Sequence, residues 1–129
     1  MAFKYITTFL FLFLTLVVYS QKDTNRFILG ETVARMELSN ALTNPQKKQV
    51  KNPKIEKLEE QQKAIEYAES ILFKTYKKKN IIAQRPYETY LIDKYWVISG
   101  TLAKNMEGGT FLIILDSKDG SVLKLIHGQ

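Results

Sequence analysis

The chain has 129 residues, with 19 lysines and arginines against 13 acidic residues and a formal charge of +6. It contains no cysteine and one histidine, which excludes disulfides, thiol chemistry, a Cys-based zinc site and a lipid-modified amino-terminal cysteine. The length permits one domain at most, with a modest core that packing alone must hold together.

Residues Met1 to Ser20 have the layout of a secretory signal peptide. Lys4 stands near the start, and an apolar run from Ile6 to Tyr19 follows, interrupted by Thr7, Thr8 and Thr15. The run is shorter than the roughly 18–20 residues a spanning helix needs. The small residues Val18 and Ser20 place the cut before Gln21, which leaves a periplasmic or secreted chain with no membrane span; a retained amino-terminal anchor is the competing reading. Residues 21–51 then read as a polar lead-in, a short helix and a linker, and residues 52–129 as the helix-plus-sheet domain.

From Glu31 to Thr43, Ala34, Leu38, Ala41 and Leu42 recur at the spacing of one helix face. Asn44-Pro45 ends that helix, because proline disfavours the helical conformation of the residue before it. Asn52-Pro53 predicts the start of a long second helix, with Asn52 as N-cap and Pro53 in the first position. Glu56, Glu59 and Glu60 fall in its early turns and Lys77-Lys78-Lys79 in its last, both matching the helix dipole. Asn80 would close it in the left-handed conformation. Leu58, Ile65, Ala68, Ile71, Leu72 and Tyr76 make its apolar stripe.

Gln84 to Gly128 repeats one theme: apolar runs broken by Asp93-Lys94, Gly108-Gly109 and Asp119-Gly120. That punctuation predicts an antiparallel meander of three to four strands, and so an α+β fold in which the long helix covers the Trp96 face. In the run from Trp96 to Leu102, Gly100 would allow a bend or a close approach. Thr110 to Leu115 and Val122 to Ile126 are apolar on both faces. The short helix is expected to cover only part of the second face, which points to a protein partner or a homodimer.

The residues predict no catalytic, cofactor-binding or metal site, and the chain reads as a non-enzyme. His127 has no carboxylate near it in sequence and reads as a strand-end residue. Asp116-Ser117-Lys118-Asp119-Gly120 fails as a calcium loop because Lys118 holds a position that needs an oxygen ligand. The lysine clusters lie near predicted helix ends and are not interleaved with exposed aromatics, so nucleic acid is not expected. A partner-binding set does emerge: Arg85, Tyr87 and Tyr95 around the first hairpin, and Asn105, Met106 and Glu107 at the tip of the Ala103–Gly109 loop. Tyr90 and Ser99 are the polar candidates for a small-ligand pocket.

The set formed by Gln84-Arg85-Pro86-Tyr87, Tyr95 through Leu102, Gly108-Gly109-Thr110-Phe111, Lys118 through Leu123 and His127-Gly128 resembles the immunity-protein domain with a nuclear-transport-factor-2-like fold. The resemblance runs from about Ala64 to Gln129. It implies a cone of helix and curved antiparallel sheet, no catalytic residues, and neutralisation of a cognate protein toxin by binding in bacterial polymorphic-toxin systems. With the export signal, that toxin would act in the periplasm or at the envelope. A peptidase-propeptide-like or cystatin-like inhibitory module shares the helix and meander and is the alternative, as is a small-ligand-binding envelope protein.

Overall fold

The computed structural model describes residues 25–44 and 57–128. The expected signal peptide, its cut before Gln21 and the Asn52-Pro53 cap lie outside these residues. In chain order the elements are β1 (Arg26–Phe27), α1 (Glu31–Thr43), α2 (Gln61–Thr75), α3 (Lys78–Ile82), β2 (Glu88–Ile92), β3 (Tyr95–Ser99), β4 (Leu102–Ala103), β5 (Phe111–Asp116) and β6 (Val122–His127). Strands β2-β3-β5-β6 form a four-stranded antiparallel sheet, and β1 pairs with β4 in a separate two-stranded ribbon.

The period-2 alternation of the strands sorts their side chains onto two buried faces. Trp96, Ile98, Phe111, Ile113 and Leu115 pack against Ala64, Ala68 and Leu72 of α2 and Ile81 of α3. Val97, Leu112 and Ile114 pack against Ala34, Leu38 and Ala41 of α1. The second face is therefore filled from within the chain, and the homodimer that an uncovered face suggested has no support. The small side chains of Ala34 and Ala41 let the α1 backbone lie close to the sheet.

The second helix differs from expectation at both ends. It begins at Gln61, and Lys57 to Glu60 are not helical. The Leu58 N–H donates to Ser117 O at 2.8 Å and Leu58 O accepts the Trp96 indole N–H at 2.7 Å. Both main-chain groups are thus committed to the sheet, and Glu59 and Glu60 precede the helix. At the other end Tyr76 is extended (φ −125°, ψ 164°), so the lysine triplet opens α3 and does not close α2. This break drives Ile81 fully into the core, and Asn80 is an ordinary residue of α3.

The expected Trp96–Leu102 strand is also interrupted. It stops at Ser99, and Leu102–Ala103 leaves the sheet to pair with Arg26–Phe27, which were read as loose lead-in. Gly100 is the pivot: a Cβ there would lie 2.1 Å from Gln84 Oε1. The close approach is thus to a buried amide and not to a helix. The two turns behave as their residues predict, with Asp93 (φ 55°) and Gly120 (φ 69°) both left-handed.

Trp96 is 5% exposed and its N–H is consumed by Leu58 O. Trp96→Ala should destabilise the fold by about 3–5 kcal/mol. Trp96→Phe keeps a ring but leaves the Leu58 carbonyl without its donor, and should cost about 1–3 kcal/mol. Denaturant unfolding of both variants checks the order; equal stability to the parent chain would place the indole outside the core.

Candidate functional site

Two of the six predicted partner-binding residues are tied into the fold. The Arg85 Nε donates to Glu69 Oε2 at 3.0 Å and its Nη2 bonds the same oxygen. The Tyr87 hydroxyl donates to that oxygen at 2.7 Å, while its ring meets Phe111 edge-on with centroids 5.0 Å apart. Burial, then the hydrogen bond to Glu69, pushes the Tyr87 phenol up to about 12, with Arg85 opposing. Arg85 keeps an exposed flank, but its head group serves to hold β2's approach against α2.

Asn105, Met106 and Glu107 are exposed, Met106 at 57%. Their segment is anchored at its base by Lys104 N–H to Asn25 O at 2.9 Å and by the β1–β4 ribbon. Tyr95 is not with them. It pairs with Ile92 and Asp116 at the opposite end of the strands, where Lys94 lies 5.3 Å from its ring centroid and bridges Asp116 at 3.2 Å. Tyr95 also packs on the α1 side of the sheet, whereas Tyr87 packs on the α2 side. No single surface unites the six.

A pocket of about 220 Å³ opens between the start of α1 and the sheet face it covers. Val33, Ala34, Val97 and Leu112 supply apolar wall, and Tyr90 and Ser99, the two pocket candidates read from sequence, both line it. So does Glu88, which sequence reasoning missed. It is 8% exposed. Its Oε1 accepts the Gly30 N–H at 2.8 Å and the Tyr90 hydroxyl at 3.0 Å, and its Oε2 accepts the Leu29 N–H at 2.9 Å. The signal was present: Glu88, Tyr90 and Ile92 share one strand face, and an acid on an otherwise apolar face needs partners. Leu29, 59% exposed, and Ile126, 40% exposed, both line this pocket. Phe27 and Ile28 extend the exposed apolar surface next to Leu29.

His127 is spent on structure. Phe111 N–H donates to Gln84 Oε1 at 2.8 Å, which fixes the amide so that its NH₂ faces Asn80 O at 3.1 Å and His127 Nε2 at 3.0 Å. His127 Nε2 is therefore the acceptor and Nδ1 carries the proton, directed to Gly128 O at 2.6 Å. The Asp116 and Asp119 carboxylates accept main-chain N–H groups of Lys118 and Ser121 within their own turn. Among the described residues no cluster of three or more His, Asp or Glu side chains is arranged to hold a metal ion, and no helix is long and apolar enough to cross a membrane.

Residues 63–129 match the model of a family described as NTF2 fold immunity protein. The match spans just over half of the chain, and the chain belongs to this family. No curated protein and no solved structure shows significant similarity to it.

The Tyr87 phenol gives a prediction with a definite sign. Its folded value lies above the ordinary value of 10.0, so the fold favours the protonated form. That contribution to stability is complete below about pH 10 and is lost as pH rises toward about 12. An ultraviolet phenolate titration should show a late component that Tyr87→Phe diminishes, beside the upward-shifted Tyr67 and Tyr90; ionisation of Tyr87 with the exposed tyrosines would break the assigned contact with Glu69.

Proposed function

We propose that this member of the NTF2 fold immunity family is an exported, non-catalytic binding protein that neutralises a cognate protein toxin by direct contact. The family match over residues 63–129 carries the reading. The apolar leader from Ile6 to Tyr19 supports export to the periplasm or beyond. If it does so, the toxin acts at the envelope or in the periplasm.

The surface that best fits such contact is the end of the molecule holding the β1–β4 ribbon, the segment from Ala103 to Gly109 and the pocket mouth. Phe27, Ile28, Leu29, Met106 and Ile126 are exposed large hydrophobes there. Apolar side chains with polar surroundings are the usual centre of a protein interface. The opposite end, with Tyr95, presents a lysine–aspartate pair and a tight turn, and offers less for a partner to bury. A second reading, a small-ligand-binding envelope protein, is favoured by one observation only: Tyr90 and Ser99 do line a pocket.

Affinity capture with the full-length chain, expressed in its own cells and tagged at the carboxyl end, should recover one stoichiometric exported toxin. The recovered chain should begin at Gln21. Co-expression with that toxin should protect the cell, and joint substitution of Met106 and Glu107 by serine should weaken capture without lowering the melting temperature. Recovery of no toxin, with no protection, would reject the immunity reading.

A further inference from the structure

The pocket at the start of α1 has an electrostatic character opposite to that of the chain as a whole. The chain carries +6, yet two carboxylates, Glu37 and Glu88, line this pocket and no lysine or arginine does. Lys124 Nζ pairs with Glu37 at 3.0 Å and so neutralises that carboxylate at the pocket, while Arg35 pairs with Glu31 at 2.9 Å; Glu88 is the acid that carries the pocket's negative charge. Among the described residues no cation pairs with Glu88.

Glu88 nevertheless has the hydrogen-bond pattern of a carboxylate, since all three of its partners donate to it. An ionised carboxylate offers about four acceptor positions. Two donors occupy Oε1 and one occupies Oε2, which leaves one position on Oε2. The local field is also felt by Tyr90, whose hydroxyl is pushed upward first by burial, then by its hydrogen bond to Glu88 and by the charges of Glu88 and Glu31. The hydroxyls of Ser99 and Thr110 line the same pocket and make no side-chain hydrogen bond among the described residues. Around these polar groups the wall is aliphatic.

We propose that this pocket receives a lysine or arginine side chain of the protein partner, its cationic head on Glu88 and its aliphatic stem against Val33, Val97 and Ile126. The inference rests on the partner-binding reading above and names the chemistry of the contact. Size agrees with charge. The volume of about 220 Å³ falls below the roughly 300–1,000 Å³ of sites that enclose a whole drug-sized ligand. Long basic side chains lay their methylenes along apolar surface while the head group seeks an anion, and a charge-assisted bond in a desolvated pocket is the stronger kind.

The first test is independent of any toxin. Butylguanidinium, titrated into the full chain and followed by amide chemical shifts, should move Val33, Val97 and Leu112, while uncharged butylurea should not. Glu88→Gln should weaken the response at least about tenfold, as loss of a charged hydrogen bond does. Because Glu88 also holds the Leu29 and Gly30 amides, Val33→Phe serves as the second variant: it fills the pocket and leaves the carboxylate alone. Equal shifts with butylurea, or an undiminished response in either variant, would overturn the assignment. The partner arm separates the two readings. If the captured toxin binds Val33→Phe as tightly as the parent chain, the side-chain guest is wrong and the immunity reading stands. If butylguanidinium binds as described but no toxin is captured, the immunity reading fails and the pocket takes free small cations, which overturns the partner side chain as guest. Loss of toxin binding in Val33→Phe together with the butylguanidinium response supports the proposal.

Discussion

The fold turns on one buried amide. Gln84 sits where α3, β2, β5 and β6 converge, and each of its polar groups is committed. Its side-chain oxygen takes the N–H of Phe111, its nitrogen reaches Asn80 O and His127 Nε2, and its own carbonyl takes the N–H of Thr101. Such a group is costly to bury unless fully satisfied, and once satisfied it defines a unique geometry. Gly100 must lack a side chain to leave it room, and Thr101 is buried with its hydroxyl on Pro86 O at 2.7 Å. Strand β3 therefore stops at Ser99.

From that stop the remaining architecture follows. Leu102 and Ala103 leave the sheet and recruit Arg26 and Phe27. That ribbon carries Leu29 and Gly30 across the second sheet face to Glu88, whose carboxylate receives both of their N–H groups. With its lead-in held there, α1 settles on Val97, Leu112 and Ile114. The pocket is the space left beneath the start of α1, where the sheet face is covered by small and branched side chains. One polar clamp thus determines where the next one falls.

This arrangement bears on recognition. The segment from Ala103 to Gly109 and the pocket mouth belong to the same end of the molecule because the β1–β4 ribbon joins them. A partner approaching that end meets exposed apolar side chains first and an anionic recess behind them. On the proposed reading, hydrophobic contact there would supply area, and the recess would supply selectivity for one charge type. Arg85 and Tyr87 contribute by keeping β2 against α2 through Glu69, a supporting role set by their geometry.

The sequence by itself determined what depends on near neighbours along the chain. The strand faces follow from alternation, the Asp93 and Gly120 turns from their residue types, and the buried stripe of α1 at Ala34, Leu38 and Ala41 from its helical period, whereas Leu42, expected in that stripe, is 48% exposed in the last turn. The family resemblance was legible because it rests on short runs, each contiguous in sequence, that follow one another in a fixed order. What tertiary structure alone decided is where long-range bonds override local preference. Acidic residues before Gln61 favour a helical first turn, yet Leu58 is held by Ser117 and Trp96 far along the chain. The run from Trp96 to Leu102 reads as one strand, yet the Gln84 amide ends it. Arg26 and Phe27 carry no strand signal of their own and acquire one only from β4. Glu88 acquires its meaning from two amides 58 and 59 residues away. A local pattern sets which conformations a segment prefers, and only the assembled core decides which buried polar groups must be answered, and by whom.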